Sequence, residues 1–263
     1  MAPYFERDIY MSRLLRLLIL SALALALPGC AEKFTKVGSR HMFERDVIKT
    51  SAGKLEVTFV GHGTLMFALE GIIVHVDPTE READYSNMPK GDLILITHDH
   101  GDHLDPKAIQ AVRKETTVIL APEACASDVR GVRVIGNGDV HTTHGLKIRA
   151  VPAYNIVHKR PSGEPYHPRG KGNGYVVTFG DKRVYVAGDT ENVTEIKALK
   201  DIHVAFLPMN VPYTMTPEMV ADAARAIRPK VLYPYHYGST DTAELVRLLA
   251  AEKDIEVRIR MMQ

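Results

Sequence analysis

Residues Thr97 to Asp105 read THDHGDHLD and follow directly on the apolar run Leu93-Ile94-Leu95-Ile96. Three histidines and three aspartates thus crowd into nine residues at the end of what reads as a buried strand. A core cannot hold that many polar groups unpaired, because each one loses its water without gaining a partner. His98, His100, Asp102 and His103 form the pattern H-x-H-x-D-H, in which side chains of a tight loop can converge on two neighbouring points. Neutral imidazole and carboxylate suit zinc, and also manganese or iron. A metal-binding loop carried on a strand end is therefore the reading from which the fold follows.

Around that loop the pattern is of short strands first and of strand and helix in alternation later. Residues 55–60 alternate as a half-buried strand, and 65–69 and 72–76 read as two more, turning at Glu70-Gly71. After the loop, a helix is predicted over 106–114 with Asp105 as its cap, then a strand over 117–120. His141 and His144 flank a turn ahead of a strand at 146–150 and read as surface residues. Strands at 175–179 and 183–187 form a hairpin across Gly180-Asp181. Strands at 204–207, 231–235 and 255–259 then alternate with helices at 217–227 and 242–251. Thr216 before Pro217 is a good helix start, since threonine can cap and proline loses nothing in the first turn. Hairpins in each half, with helices added, predict an α/β protein of two sheets packed face to face. Its polar strand-end loops should meet along one edge.

The whole chain has 263 residues, 45% hydrophobic and 25% charged, with a net charge of +1. Nearly balanced charge disfavours a nucleic-acid binder held by phosphate contacts, so a small-molecule substrate is expected. The N-terminus differs from the rest. Arg13 and Arg16 precede an apolar run over 17–27, too short to span a bilayer comfortably but suited to a signal peptide. Leu27-Pro28-Gly29-Cys30 resembles the lipobox of bacterial lipoproteins, which implies lipidation of Cys30, export to the cell envelope and a membrane anchor. An uncleaved anchor and a simple secretory signal are the alternatives. Glu6 and Asp8 are an unusual prelude to a signal and point to Met11 as the true start. With Cys30 acylated, Cys125 stands alone and no intramolecular disulfide forms. Residues 1–30 then form the signal, 31–54 a mixed-charge tether, and 55–263 the folded domain.

Further motifs stand in order along that domain: Val60-Gly61-His62-Gly63-Thr64, Val76-Asp77-Pro78, Val151-Pro152-Ala153-Tyr154-Asn155, Ala187-Gly188-Asp189-Thr190 and Pro234-Tyr235-His236-Tyr237-Gly238. Together with H-x-H-x-D-H they resemble the metallo-β-lactamase superfamily of metallohydrolases, over most of residues 55–263. The branch most resembled is the lactonase- and phosphodiesterase-like one that includes ascorbate-6-phosphate lactonase and N-acylphosphatidylethanolamine phospholipase D. The resemblance implies a four-layer αββα sandwich with a metal centre at one edge and two divalent ions, zinc foremost. It implies that His98 and His100 hold one metal, Asp102, His103 and His236 the other, and that Asp189 bridges both. The remaining ligand of the first metal is expected at His167, set in Tyr166-His167-Pro168-Arg169-Gly170 ahead of Gly174-Tyr175-Val176; His158 and Asn155 are the alternatives. His62 and Asp77 are expected behind the ligands, where a carboxylate can receive the second ring N–H of a ligating histidine. Asp99 is expected to order the loop.

What the resemblance implies for function is a binuclear metallohydrolase in which a metal-bound hydroxide attacks an ester, lactone, amide or phosphodiester. Asp102 or Asp189 would help to move the proton. Arg160, Arg169 and Lys171 lie in a loop expected over the site, either to receive an anionic group or simply as a solvated basic loop. Two other readings stand beside it: a β-lactam-hydrolysing enzyme, and a non-catalytic metal-binding lipoprotein. An incomplete first metal site would favour the latter.

Overall fold

The structure, a computed structural model, describes residues 43–262. The signal segment, Cys30 and the first half of the tether, residues 31–42, lie outside the described residues. Two seven-stranded sheets make up the fold. The first is ordered β1 (Glu44–Thr50), β2 (Gly53–Gly61), β3 (Thr64–Leu69), β4 (Ile72–Val76), β5 (Leu93–Leu95), β6 (Val118–Ala121) and β7 (Val132–Val134). The second contains β8 (Val140–Thr143), β9 (Leu146–Ala153), β10 (Gly172–Phe179), β11 (Lys182–Val186), β12 (Val204–Pro208), β13 (Val231–Tyr235) and β14 (Glu256–Val257), again in chain order. Each sheet begins antiparallel and turns parallel at its fourth strand, β4 with β5 and β11 with β12.

The sheets meet through side chains that alternate inward. Phe67 of β3 packs against Phe179 of β10 and Phe206 of β12, with ring centroids 5.5 and 5.8 Å apart. Phe59 of β2 reaches Tyr233 of β13 at 5.0 Å. Helix α1 (Pro106–Val112) covers the outer face of the first sheet, burying Ala108, Ile109 and Val112 in a cluster with Ile94, Ile96 and Ile119. On the second sheet α3 (Pro217–Ile227) buries Val220, Ala221, Ala223, Ala224 and Ile227; the shorter α2 (Thr194–Lys197) and α4 (Thr242–Leu248) complete that layer. Small alanines along α3 let it lie close to the sheet. The αββα layering expected from the sequence is the one observed.

Helix starts follow their caps. Asp105 accepts from the backbone of Lys107 and Ala108, and Thr216 from Met219, so both predicted N-termini hold. Glu70 and Gly71 both have positive φ, the mirror-image turn geometry that suits the twist of the β3–β4 hairpin.

The tether boundary needs correction, because residues 44–50 of it form β1 and β2 starts at Gly53. β1 is an edge strand whose inward positions are Asp46, Ile48 and Thr50, so it carries only one apolar inward residue. Its anchor is polar: both Asp46 carboxylate oxygens accept from Arg260 Nη2 at 2.7 Å, and Tyr233 donates its hydroxyl to Oδ2. The last helix and strand are shorter than expected, at 242–248 and 256–257. Strands β7 and β8 were not expected; both are short and mostly exposed.

Candidate metal centre

The carboxyl ends of β4, β5, β9, β11 and β13 all open on one edge of the sandwich. There they deliver Asp77, the 97–103 loop, Asn155, Asp189 and His236. Ligand sites gather at such strand ends because the chain leaves the sheet there and side chains from several strands converge.

Asp189 is the centre of the cluster. Its carboxylate lies 3.2 Å from His167 Nε2, 3.4 Å from His103 Nε2, 3.4 Å from His236 Nε2 and 4.0 Å from His98 Nε2. Gly188 precedes it at φ +64°, and a Cβ there would stand 2.8 Å from Asn173 O, so the approach of this turn to β10 requires glycine. Two groups of potential ligands surround the carboxylate. His98, His100 and His167 make one; His62, Asp102, His103 and His236 make the other. His98, His103 and Asp189 form a third overlapping group that joins them.

The far nitrogens explain why the near ones point inward. Thr97 Oγ1 donates to Asp77 Oδ2 at 2.6 Å and lies 3.0 Å from His98 Nδ1, from which it can accept. His103 Nδ1 donates to the same Asp77 oxygen at 2.8 Å. His167 Nδ1 donates to Asn155 Oδ1 at 2.7 Å. In each ring the proton is held on Nδ1, which leaves the Nε2 lone pair facing Asp189. Room for the His103 ring depends on Gly63, where a Cβ would stand 2.6 Å from His103 Cε1.

The inward atoms are poorly satisfied by one another. His98 Nε2, His103 Nε2, Asp189 Oδ1 and both nitrogens of His236 are buried without a hydrogen-bond partner. Orphaned imidazole nitrogens gathered around one carboxylate are costly in an apolar interior unless a cation binds them. The residues therefore fit a metal in ligand type, in burial and in orientation.

The electrostatics carry the same signature. Burial holds the His98 imidazole well below its usual range, reinforced by the neighbouring His103. Burial and the adjacent His167 lower His100 as well. His103 is the exception: burial would lower it, but Asp189, Asp77 and Asp102 raise it to about 9. Burial also opposes the charge on Asp189, yet the surrounding His236 and His103 keep its carboxyl well below the usual range. Three carboxylates thus converge on His103, an excess of negative charge that a divalent cation would balance.

The sequence-predicted residues come together almost as a set. His98, His100, Asp102, His103, His167, Asp189 and His236 all contribute to the potential ligand groups. Of the alternatives to His167, Asn155 lies behind that ring instead of beside the cluster, and His158 turns its Nδ1 to Glu191 Oε1 at 2.8 Å. His62 differs from expectation. Its Nε2 is 3.4 Å from Asp102 Oδ2 and its ring centroid 3.7 Å from that of His236, within the second ligand group itself. Asp77 stands behind His103 as expected, fully buried. His62, Asp77 and His236 all hold φ between 46° and 48°, a strained region for non-glycine residues that tends to occur at functional sites.

Asp99 lies exposed at the mouth of the site, and the loop is closed instead by the backbone N–H groups of His103 and Leu104 donating to His100 O. Arg169 is tied to Glu195 at 2.7 Å and stacks over Tyr154. Arg160 and Lys171 do line the cleft beside His100, together with Asp99, Glu164 and Tyr166. Its charge is mixed. His141 and His144 lie on and beside β8, apart from the ligand groups. Sequence reasoning missed Thr97, Glu82 and Glu191. Glu82 faces His62, His236 and Asp102 from the segment before Tyr85, and burial raises its carboxyl. Only its place after Asp77-Pro78 could have signalled it.

Known proteins resemble this chain in sequence and in fold. The family model described as Beta-lactamase superfamily domain matches residues 56–236. A UPF0173 metal-dependent hydrolase of Methanopyrus kandleri is 31% identical over 196 residues, covering 70% of this chain and 85% of that protein. A crystal structure from Parabacteroides distasonis, described as a candidate metal-dependent hydrolase, is 51% identical with a TM-score of 0.80, covering 84% of this chain and all (100%) of that one. The fold is also that of Igni18, a metallo hydrolase from Ignicoccus hospitalis, at 24% identity and a TM-score of 0.63, with 80% of this chain and 96% of that one covered.

Proposed function

Because the chain belongs to the β-lactamase superfamily, and within it to the UPF0173 metal-dependent hydrolases, we propose that it hydrolyses its substrate with a binuclear centre. The substrate class is an ester, lactone or phosphodiester. The observation that carries the reading is the position of Asp189, with imidazole nitrogens of both ligand groups within 4.0 Å of its carboxylate. One carboxylate between two groups of donors is the arrangement that two cations sharing a ligand require.

His98, His100 and His167 would hold the first ion and Asp102, His103 and His236 the second, with His62 close enough to join it. Zinc suits this donor set best, with manganese and iron as alternatives. When bound, such ions supply an acidified water and a Lewis acid for the carbonyl or phosphoryl oxygen. The chain's own residues do the rest. Asp77, Thr97 and Asn155 keep the ligating rings in one tautomer, and the buried strand ends keep them in place. Asp102, whose side chain is 32% exposed where Asp189 is 4% exposed, is the carboxylate on the open side of the site. It is placed to accept a proton from the attacking water. Burial would raise its carboxyl, but His236 and His62 beside it hold it low, so it stays ionised and able to accept.

The non-catalytic reading needed an incomplete first group, and His167 beside His98 and His100 argues against it. The lipobox-like segment ending at Cys30 supports an exported enzyme held at a membrane. Elemental analysis of the chain purified without chelator tests the proposal, with an Asp189→Ala control. About two metals per chain, lost together with hydrolysis of lactones or phosphodiesters in the control, is the expected result. An Asp189→Ala variant that retains full metal and activity would overturn it.

A further inference from the structure

We infer that Asn155 and Glu191 form a relay that positions His167, so that the first metal site depends on a buried carboxylate outside the ligand set. The inference rests on the proposed function only in taking His167 as a ligand. Its basis is a chain of contacts on the side of the ring away from Asp189.

Asn155 Oδ1 accepts twice from His167, from the backbone N–H at 2.8 Å and from Nδ1 at 2.7 Å. The Asn155 N–H donates back to His167 O at 2.9 Å, so the two residues are locked as a pair. The amide is itself oriented, because its Nδ2 donates to Tyr213 O at 2.9 Å and to Glu191 Oε1 at 3.2 Å. An amide so held cannot flip, and its oxygen must face His167.

Glu191 makes the arrangement rigid. It is fully buried, and it accepts from the backbone N–H groups of Ile156, Val157 and His158, each at 2.7 Å. Three backbone N–H groups and the Asn155 amide converge on this one buried carboxylate, which leaves it no freedom to turn and so fixes the amide that faces it. Glu191 also lies two residues after Asp189. One short segment therefore supplies the carboxylate on the metal side of His167, 3.2 Å from Nε2, and the carboxylate that fixes the ring's support on the other side. The consequence is a fixed tautomer. With its proton held on Nδ1, His167 has only a lone pair to offer at Nε2.

The test uses the full chain loaded with zinc, with chelator competition to resolve the two affinities and His167→Ala to mark which belongs to the first site. Asn155→Ala should weaken that same site roughly 10–100-fold and leave the other within a few-fold. Nitrogen NMR of the metal-free protein should show His167 as the Nδ1–H tautomer, and Asn155→Ala should lose that signature. If the Ala variant does not fold, Asn155→Ser, too short to reach Nδ1, takes its place. Wild type with two metals and an unchanged first-site affinity in the variant would overturn the relay while leaving the binuclear reading intact. One metal, weakened by Asn155→Ala, would keep the relay and overturn the binuclear reading. No metal in wild type would overturn both.

Discussion

Asp77 and His103 are joined across 2.8 Å in a pocket from which both are wholly screened from solvent. Asp77 Oδ1 also accepts from the Thr97 N–H at 2.8 Å, a donor whose direction the backbone fixes. An asparagine in place of Asp77 would have to keep its oxygen there, which would turn its NH2 towards His103. His103 would then have to accept at Nδ1 and carry its proton on Nε2, the nitrogen that faces Asp189. A wrong tautomer with intact geometry is expected, as with other histidines oriented by a carboxylate. Asp77→Asn should therefore fold, lose about 1–3 kcal/mol of stability, and bind metal roughly 10–100-fold more weakly. Chelator competition measures the second effect, and an unchanged affinity would show that Asp77 does not orient a ligand.

Metal should also stabilise the fold, because the orphaned atoms of His98, His103, Asp189 and His236 gain partners only when a cation binds. Binding to the native state alone contributes about 4 kcal/mol when free metal is a thousand times its Kd. For a domain of this size that raises Tm by about 8–16 °C. Calorimetry with zinc and with chelator should show the shift, and Asp189→Ala should abolish it. A wild-type Tm indifferent to zinc, manganese and iron would mean that no site is formed.

Asp46 ties β1 to the end of the chain through Arg260, Arg258 and Tyr233. Burial would raise its carboxyl, but the bonds from Arg260 and Tyr233 outweigh burial and lower it. A lowered carboxyl contributes stability that is fully present above its unfolded value near 4 and is lost as pH falls through the folded value. Asp46→Asn should thus cost about 2 kcal/mol at pH 7, in the range for hydrogen bonds to charged groups, and less near pH 3. Urea midpoints in chelator at both values decide it. A deficit that does not shrink in acid would mean that the charge of Asp46 is not what holds the strand.

How legible was this in the sequence? H-x-H-x-D-H can be read because its members are contiguous and follow an apolar strand. Asp189 and His236 each end a strand too, but a lone strand-end aspartate or histidine more often serves a turn, so their roles come from the resemblance taken with that first motif. His167 needed the resemblance, since nothing local sets it apart from His158. Glu191 carried no signal at all. Its partners are three backbone N–H groups and an amide more than thirty residues earlier, and in sequence it looks like any exposed acid. β1 was missed for a related reason. Its inward position at 46 holds a charge whose partners lie more than 180 residues away, so no local alternation of apolar residues reveals it. His62, flanked by two glycines, reads equally as a turn residue or as one lying behind the ligands, and only the fold brings it against His236.

His75 gives the last prediction, from a histidine outside the metal cluster. It sits in β4 at 0% exposure, with Nε2 2.9 Å from Pro89 O and Nδ1 buried without a partner. The ring therefore donates from Nε2 and is neutral, and burial pushes its pKa down to about 4. The unfolded chain takes up a proton on this ring near pH 6.5, whereas the folded chain does not until about pH 4. Between those values the unfolded state binds more protons, so stability falls as pH falls; the contribution is whole above about 6.5 and gone by about 4. At about 1.4 kcal/mol per pH unit the loss is about 3 kcal/mol. His75→Gln can still donate to Pro89 O but does not titrate. In chelator, so that metal release cannot contribute, wild type should lose about 3 kcal/mol more than the variant between pH 7 and pH 4. Parallel pH profiles for the two proteins would mean that His75 gains a proton acceptor or water in solution and is not the acid-sensitive group of the first sheet.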